Sequence, residues 1–279
     1  MNVSKKVFAM KMRSAAITGL SVASLLWGAS LPTQAQQSSG AQEPQSPSFT
    51  AIDTYFCRYH EGKGRSDLDR VLVKWNKWMD DTKAAPYNAW VMTPYFSSDS
   101  NTDFDVLWLG AWQDGNAFGN GLQQWLDKGG LLLAEFDTVL HCNEHSNFGA
   151  LNIRAPHKGW PDQHGVAAIT NCRIADGKTV PEAVEFHEAW GVHLARTGSK
   201  AGIWAFFPGF GQGDIDWDYK IVTSHPDFRS LGADWESFTN GQGWAVHDEL
   251  SLGLVSCDSA RVYNSTLVRN ANINPAPGK

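Results

Sequence analysis

The sequence predicts an α+β protein built from two tandem copies of a βαββαβ unit, and three observations predict it. The chain repeats itself at an interval of 115 residues: Cys57-Arg58 recurs as Cys172-Arg173, Gly62-Lys63 as Gly177-Lys178, Trp75 as Trp190, Cys142 as Cys257 and Ile153-Arg154 as Val268-Arg269. Between these anchors the offset drifts by only one or two, with Trp90 and Pro94 matching Trp204 and Pro208 at 114 and Phe118-Gly119 matching Leu231-Gly232 at 113. The hydrophobic period also switches between strand-like and helix-like in the same order in both copies. The copies span 49–154 and 167–279, joined by the Pro/Gly-rich segment APHKGWPDQHGV at 155–166.

Residues 1–35 carry Lys5, Lys6, Lys11 and Arg13, no acid, an apolar run from Ala15 to Leu31 and then Thr33-Gln34-Ala35. They read as a secretory signal peptide cut after Ala35. Residues 36–48, QQSSGAQEPQSPS, are polar and proline-punctuated and read as a disordered tether. A strand over 51–60 precedes a helix over 67–81, whose Leu68, Val71, Leu72, Trp75 and Met79 have helical spacing behind the capping-box pattern Ser66-x-x-Asp69. Strands at 87–96 and 104–112 flank the turn-rich SSDSNTD, a helix covers 117–128, and the last strand contains Cys142. In the second copy Thr179-x-x-Glu182 caps a helix with the stripe Ala183, Phe186, Trp190 and Leu194. Strands at 201–207 and 218–224, a helix at 229–240 and a strand containing Cys257 complete it.

The whole chain of 279 residues holds 23 basic and 29 acidic side chains; without residues 1–35 it has 244 residues and a net charge of −10. That charge argues against nucleic acid and anionic lipid surfaces as partners, and no later segment is apolar enough to span a bilayer. Twelve of the 13 tryptophans follow the cut, a density that points to large aromatic cores or an aromatic-lined ligand site.

The element order is that of the ferredoxin-like unit, and two such units in one chain resemble the duplicated members of the dimeric α/β-barrel superfamily. The resemblance implies two antiparallel sheets forming a pseudo-dimeric α/β barrel with helices outside. It also implies a choice between haem-binding members and cofactor-free monooxygenases, cyclases and isomerases of hydrophobic molecules. No GxxDG motif or recognisable axial histidine is present, so the expectation is no cofactor, with haem as the lesser alternative. In a ferredoxin-like sheet the first and last strands are neighbours, and the duplication then predicts disulfides Cys57–Cys142 and Cys172–Cys257. No CxxC spacing supports zinc.

With the disulfide as a ruler, alternation puts Tyr55, Tyr59, Leu140 and Glu144 on its face. Phe56, Arg58, His60, Val139, His141 and His145 fall opposite. Arg58, His60 and His141 are therefore the candidate catalytic residues, the histidines present only in the first copy and able to move a proton near neutral pH. Trp90, Trp108 and Tyr95 are the candidate ligand-binding residues. A strand keeps His141 and His145 about 13 Å apart, so no metal is expected. The glycines of Gly209-Phe-Gly-Gln-Gly213 read as a hairpin, and Asp99, Asp103, Asp105, Asp214, Asp216 and Asp218 as turn acids. Motifs of serine, zinc and cysteine hydrolases are missing. Two functions fit: an exported small-molecule-binding protein or cofactor-independent enzyme, oxygenase- or isomerase-like, with an aromatic cavity in the first copy, or a carbohydrate-binding module using exposed tryptophans.

Overall fold

The computed structural model describes residues 48–98, 103–157 and 163–271. The signal peptide, the tether up to residue 47 and Asp99 lie outside the described residues.

In the first half β1 (Thr50–Tyr59), α1 (Arg65–Asp81), β2 (Tyr87–Phe96), β3 (Val106–Trp112), α2 (Gly115–Lys128), α3 (Gly130–Asp137) and β4 (Leu140–Arg154) follow one another. The second half runs β5 (His164–Ile174), α4 (Val180–Arg196), β6 (Gly202–Pro208), β7 (Tyr219–His225), α5 (Phe228–Thr239), α6 (Gly243–Ser251), β8 (Val255–Cys257) and β9 (Arg261–Arg269). Every pairing is antiparallel, in the order β7-β6-β4-β1-β3-β2-β9-β5, and a β5–β7 ladder closes these eight strands into a barrel. The short β8 pairs with β5 beyond the end of β9. The halves are stitched together by β2–β9 and β4–β6.

Alternation along the strands makes two cores. Ile52, Met92, Leu107, Leu109, Phe148, Phe206, Val222 and Tyr263 project into the barrel. On the outer face, Leu68, Val71, Leu72, Trp75 and Met79 of α1 pack over Cys57, Tyr87, Val91 and Val106. Cys57 is bonded to Cys142 and Cys172 to Cys257, each across a directly paired strand position. Asp105 accepts the Tyr59 N–H at 2.9 Å and Asp218 accepts the Ile174 N–H at 2.7 Å, so two of the hairpin acids fasten strand ends.

Four local differences from the sequence expectations have physical reasons. Helix α1 starts two residues early, because Asp67, not Asp69, reaches back to the N–H of the cap residue, Gly64, at 3.0 Å. Gly129 breaks the apolar run after α2, giving the extra helix α3, and Gly243 opens the extra helix α6. Strand β5 begins at His164, inside the expected linker, because Gly165 to Ala168 pair with Ser265 to Val262 of β9.

Candidate active site

Asp53, Tyr55 and Cys57 alternate with barrel-facing residues, so they emerge beneath the helices of the first half, beside Tyr87 of β2 and Trp108 of β3. Sheet and helices enclose a cavity of about 640 Å³. The indoles of Trp75, Trp78, Trp108, Trp112 and Trp125 line it. Two glycines make the geometry possible. A Cβ on Gly110 would overlap the Tyr87 hydroxyl and the Asp53 carboxyl, and one on Gly121 of α2 would overlap the Trp112 ring.

A hydrogen-bonded chain crosses the cavity floor. The Trp108 indole N–H donates to the Tyr87 hydroxyl oxygen at 2.7 Å, and the Tyr87 O–H donates to Asp53 Oδ1 at 2.8 Å. Asp53 is only 2% exposed. Burial pushes its carboxyl up from 3.8 to about 6, with the hydrogen bond from Tyr87 and the proximity of the Trp112 indole N–H opposing that rise. The Trp112 indole N–H is close enough to favour the carboxylate, yet no acceptor meets hydrogen-bonding geometry, so it is a buried donor without a partner. Burial, and then the Asp53 charge, hold the Tyr87 hydroxyl well above its ordinary range, so it stays a donor at any physiological pH.

Histidines and an acid surround the mouth. His60 Nε2 lies 2.9 Å from the Asp137 carbonyl oxygen, and His141, Glu144 and His145 follow along β4. The His145 ring stacks on Tyr55, centroids 3.8 Å apart and planes 13° from parallel, and desolvation lowers its pKa.

The sequence candidates separate into three places. His60, His141 and Trp108 meet at this cavity. Arg58 does not: it is half-exposed, pairs with the Asp103 carboxylate and donates from Nε to the Asp103 carbonyl at 3.0 Å. Arg173 makes the matching pair with Asp216 in the second half, so both arginines fasten a strand to its hairpin. Trp90 is opposite Leu109 while Trp108 is opposite Val91, which sends the two indoles to opposite faces and puts Trp90 inside the barrel. Tyr95 is 61% exposed, its ring against Phe96 and Phe228.

The face assignment drawn from the disulfide also changes. The register shifts between Phe56 and Cys57, so that Glu144 and Cys142 face adjacent residues and Asn143 bulges. A bulge resets the alternation, and His145 joins Tyr55 on the disulfide's side. His60 and His141 also line the disulfide's cavity, and Val139 packs in the same outer core, rather than opposite it.

Sequence reasoning missed Asp53 and Tyr87. A signal was there: Asp53 shares the parity of Cys57, and the repeat-related positions of Asp53, Tyr87 and Trp108 are Ala168, Ala201 and Ile221. In the second half, His187 instead fills the layer between helix and sheet. It bonds to the Tyr219 hydroxyl at 2.8 Å, and burial lowers its pKa to about 3. Among the described residues no cluster of three or more His, Cys, Asp or Glu is arranged to hold a metal ion, and no helix is long and apolar enough to cross a membrane.

No protein-family model and no curated protein matches the chain in sequence. Solved structures do match in fold. A protein described as a candidate monooxygenase from Fusobacterium nucleatum subsp. nucleatum superposes with a TM-score of 0.50 at 8% identity, over 83% of this chain and 97% of that one. A heme-binding protein from Thermus thermophilus gives 0.45 at 11% identity, over 78% and 91%. Chlorite dismutase from Candidatus Nitrospira defluvii gives 0.44 at 6% identity, over 78% and 90%. The fold is a dimeric α/β barrel.

Proposed function

We propose that this chain is an exported small-molecule enzyme that binds a hydrophobic, aromatic molecule in the first-half cavity and moves one of its protons to Asp53. The two halves are read as tandem copies of a ferredoxin-like unit, of which only the first retains a reactive floor. One observation carries the reading: a carboxyl with a pKa of about 6, buried at the base of an indole-lined cavity and held by Tyr87. A base is most effective when its pKa lies near the working pH, and a buried carboxyl with a specific partner in a cleft is where such a group is expected.

In this scheme the Asp53 carboxylate accepts a proton from a hydroxyl or activated C–H of the ligand. The electron pair stays on the ligand as an anion, and the unpartnered Trp112 N–H donates to it. His60 and His141 at the mouth are polar contacts through which the proton reaches solvent. Isomerisation and cofactor-independent oxygenation share this step and differ in whether dioxygen is consumed.

Haem is the lesser alternative. A haem iron needs a protein ligand, most often an imidazole. The cavity floor offers Asp53 and Tyr87, His60 Nε2 is engaged by the Asp137 carbonyl and His145 is stacked on Tyr55, so His141 on the lining is the imidazole that would hold it. The carbohydrate-binding reading rests on Trp235 and Trp244, 62% and 51% exposed on α5 and α6.

The test uses 4-nitrophenol, whose phenol and phenolate absorb at different wavelengths. Binding to the wild type is expected to quench tryptophan fluorescence and to convert bound phenol to phenolate; Asp53→Asn is expected to bind the probe as phenol. A Trp235→Ala/Trp244→Ala variant that lost binding of 4-nitrophenol or of oligosaccharides, with Asp53→Asn indistinguishable from wild type, would favour the carbohydrate module.

A further inference from the structure

The barrel interior contains a second cavity, of about 550 Å³, on the other face of the sheet from Asp53. An eight-stranded barrel is just wide enough to be filled by its own side chains or to hold one small ligand. Here part of the interior is not filled. Trp90 and Trp204, 114 residues apart and equivalent by the repeat, both line the space. Register shifts between Ala89 and Trp90 against β9, and between Asn152 and Arg154 against β6, bulge Val268 and Ile153, which are also repeat-related. Bulges bend strands and recur at barrel rims, where they re-aim side chains.

The polar lining is not what a filled barrel needs. Asn88, Asn152 and Ser265 face the space at 7% exposure each. Ser224 Oγ is buried there without a hydrogen-bond partner, and Asn152 Nδ2 reaches only the Arg154 carbonyl, at 3.5 Å. At the repeat-related positions the chain has Gly202 for Asn88, Leu267 for Asn152, Ala150 for Ser265 and Ala111 for Ser224. The architecture is therefore satisfied by apolar residues at these sites; Asn88 Oδ1 accepts the Ala271 N–H at 2.7 Å, whereas Ser224 and Asn152 need a separate reason, since unpaired buried polar groups cost stability. Among the described residues the lining includes His164 and His225 but no Asp, Glu, Lys or Arg.

We infer that the barrel interior is a second binding site, for a neutral, ring-bearing molecule with one or two hydrogen-bonding groups, packed on Trp90 and Trp204 and bonded to Asn152 and Ser224. The described lining offers no lysine or arginine to a carboxylate or phosphate, and the site is on the other face of the sheet from Asp53.

Indole, a neutral ring with one N–H donor, is the probe. Co-crystals with indole are expected to show it inside the barrel. Asn152→Leu copies the repeat-related Leu267 and is expected to weaken indole binding by roughly tenfold, the value of a lost hydrogen bond plus the occupied volume. Ser224→Ala, which adds no bulk, is expected to weaken it by a few-fold. Indole confined to the first-half cavity, only ordered water inside the barrel, or a folded Asn152→Leu or Ser224→Ala variant with wild-type affinity would each overturn the site. Loss of 4-nitrophenol deprotonation in Asp53→Asn is unaffected by any of these outcomes, so the two proposals fail separately.

Discussion

On the cavity floor, burial and hydrogen bonding pull the Asp53 carboxyl in opposite directions, and burial wins. Its folded pKa lies above the unfolded value of 3.8, so between 3.8 and about 6 the native state binds more protons and stability falls as pH rises. Above that window the buried charge costs about 3 kcal/mol. Asp53→Asn is therefore expected to be more stable than wild type in urea at pH 7.5, with the advantage gone at pH 3.5. Its proton-transfer rate should fall ~10²–10⁴-fold, whereas His60→Ala and His141→Ala should act more weakly, through binding at the mouth. His187 has the opposite sign: with a folded pKa of about 3 against 6.5, the stability it supplies is complete above pH 6.5 and is lost as pH falls toward 3. Replacing it with Gln should flatten the acid limb of the stability curve between those values. Both groups stand in the sequence as ordinary titratable residues. What hides them is that burial is decided by helices far along the chain, so the residue pattern singles out the histidines around Cys142 instead.

Elements act through their close approaches. Strand β3 passes under Tyr87 only because Gly110 has no side chain. Gly110→Ala is expected to displace the Tyr87–Asp53 pair and to cost several kcal/mol, as overpacking of a rigid core does. The loss should appear in the melting temperature together with changed near-ultraviolet dichroism of the surrounding tryptophans. Gly121→Ala should act similarly but more mildly, because the Trp112 ring it meets can rotate. Element order was readable in the residues: the amphipathic stripe of α1 and the Thr179–Glu182 capping box of α4 both form. Register was not. A single extra residue, Asn143, moves His145 to the other face, and a pairing of Trp90 with Leu109 separates two indoles that composition alone treats as one cluster. Helix α3 was hidden for a related reason, since GLLLAEFD is apolar on nearly every side and has no stripe to read.

For the molecule as a whole, the 115-residue repeat carries into the barrel, where Cys57 pairs with Cys142 and Val106, and Cys172 with Cys257 and Tyr219. Each disulfide closes a separation of 85 residues, worth up to ~4–5 kcal/mol in the chain-entropy model. Reduction should lower the denaturation midpoint, and Cys57→Ala/Cys142→Ala should disturb the first-half cavity more than the matching pair in the second half. The repeat also exposes the asymmetry on which the proposed function turns, because Asp53, Tyr87 and Trp108 are answered by Ala168, Ala201 and Ile221. The most direct measurement is a pH titration of the side-chain carboxyl carbons by NMR. One aspartate carboxyl should titrate near 6 and disappear in Asp53→Asn. If every aspartate titrated near or below the ordinary value of about 3.9, Asp53 would be an ordinary acid and the proposed proton transfer would have no base.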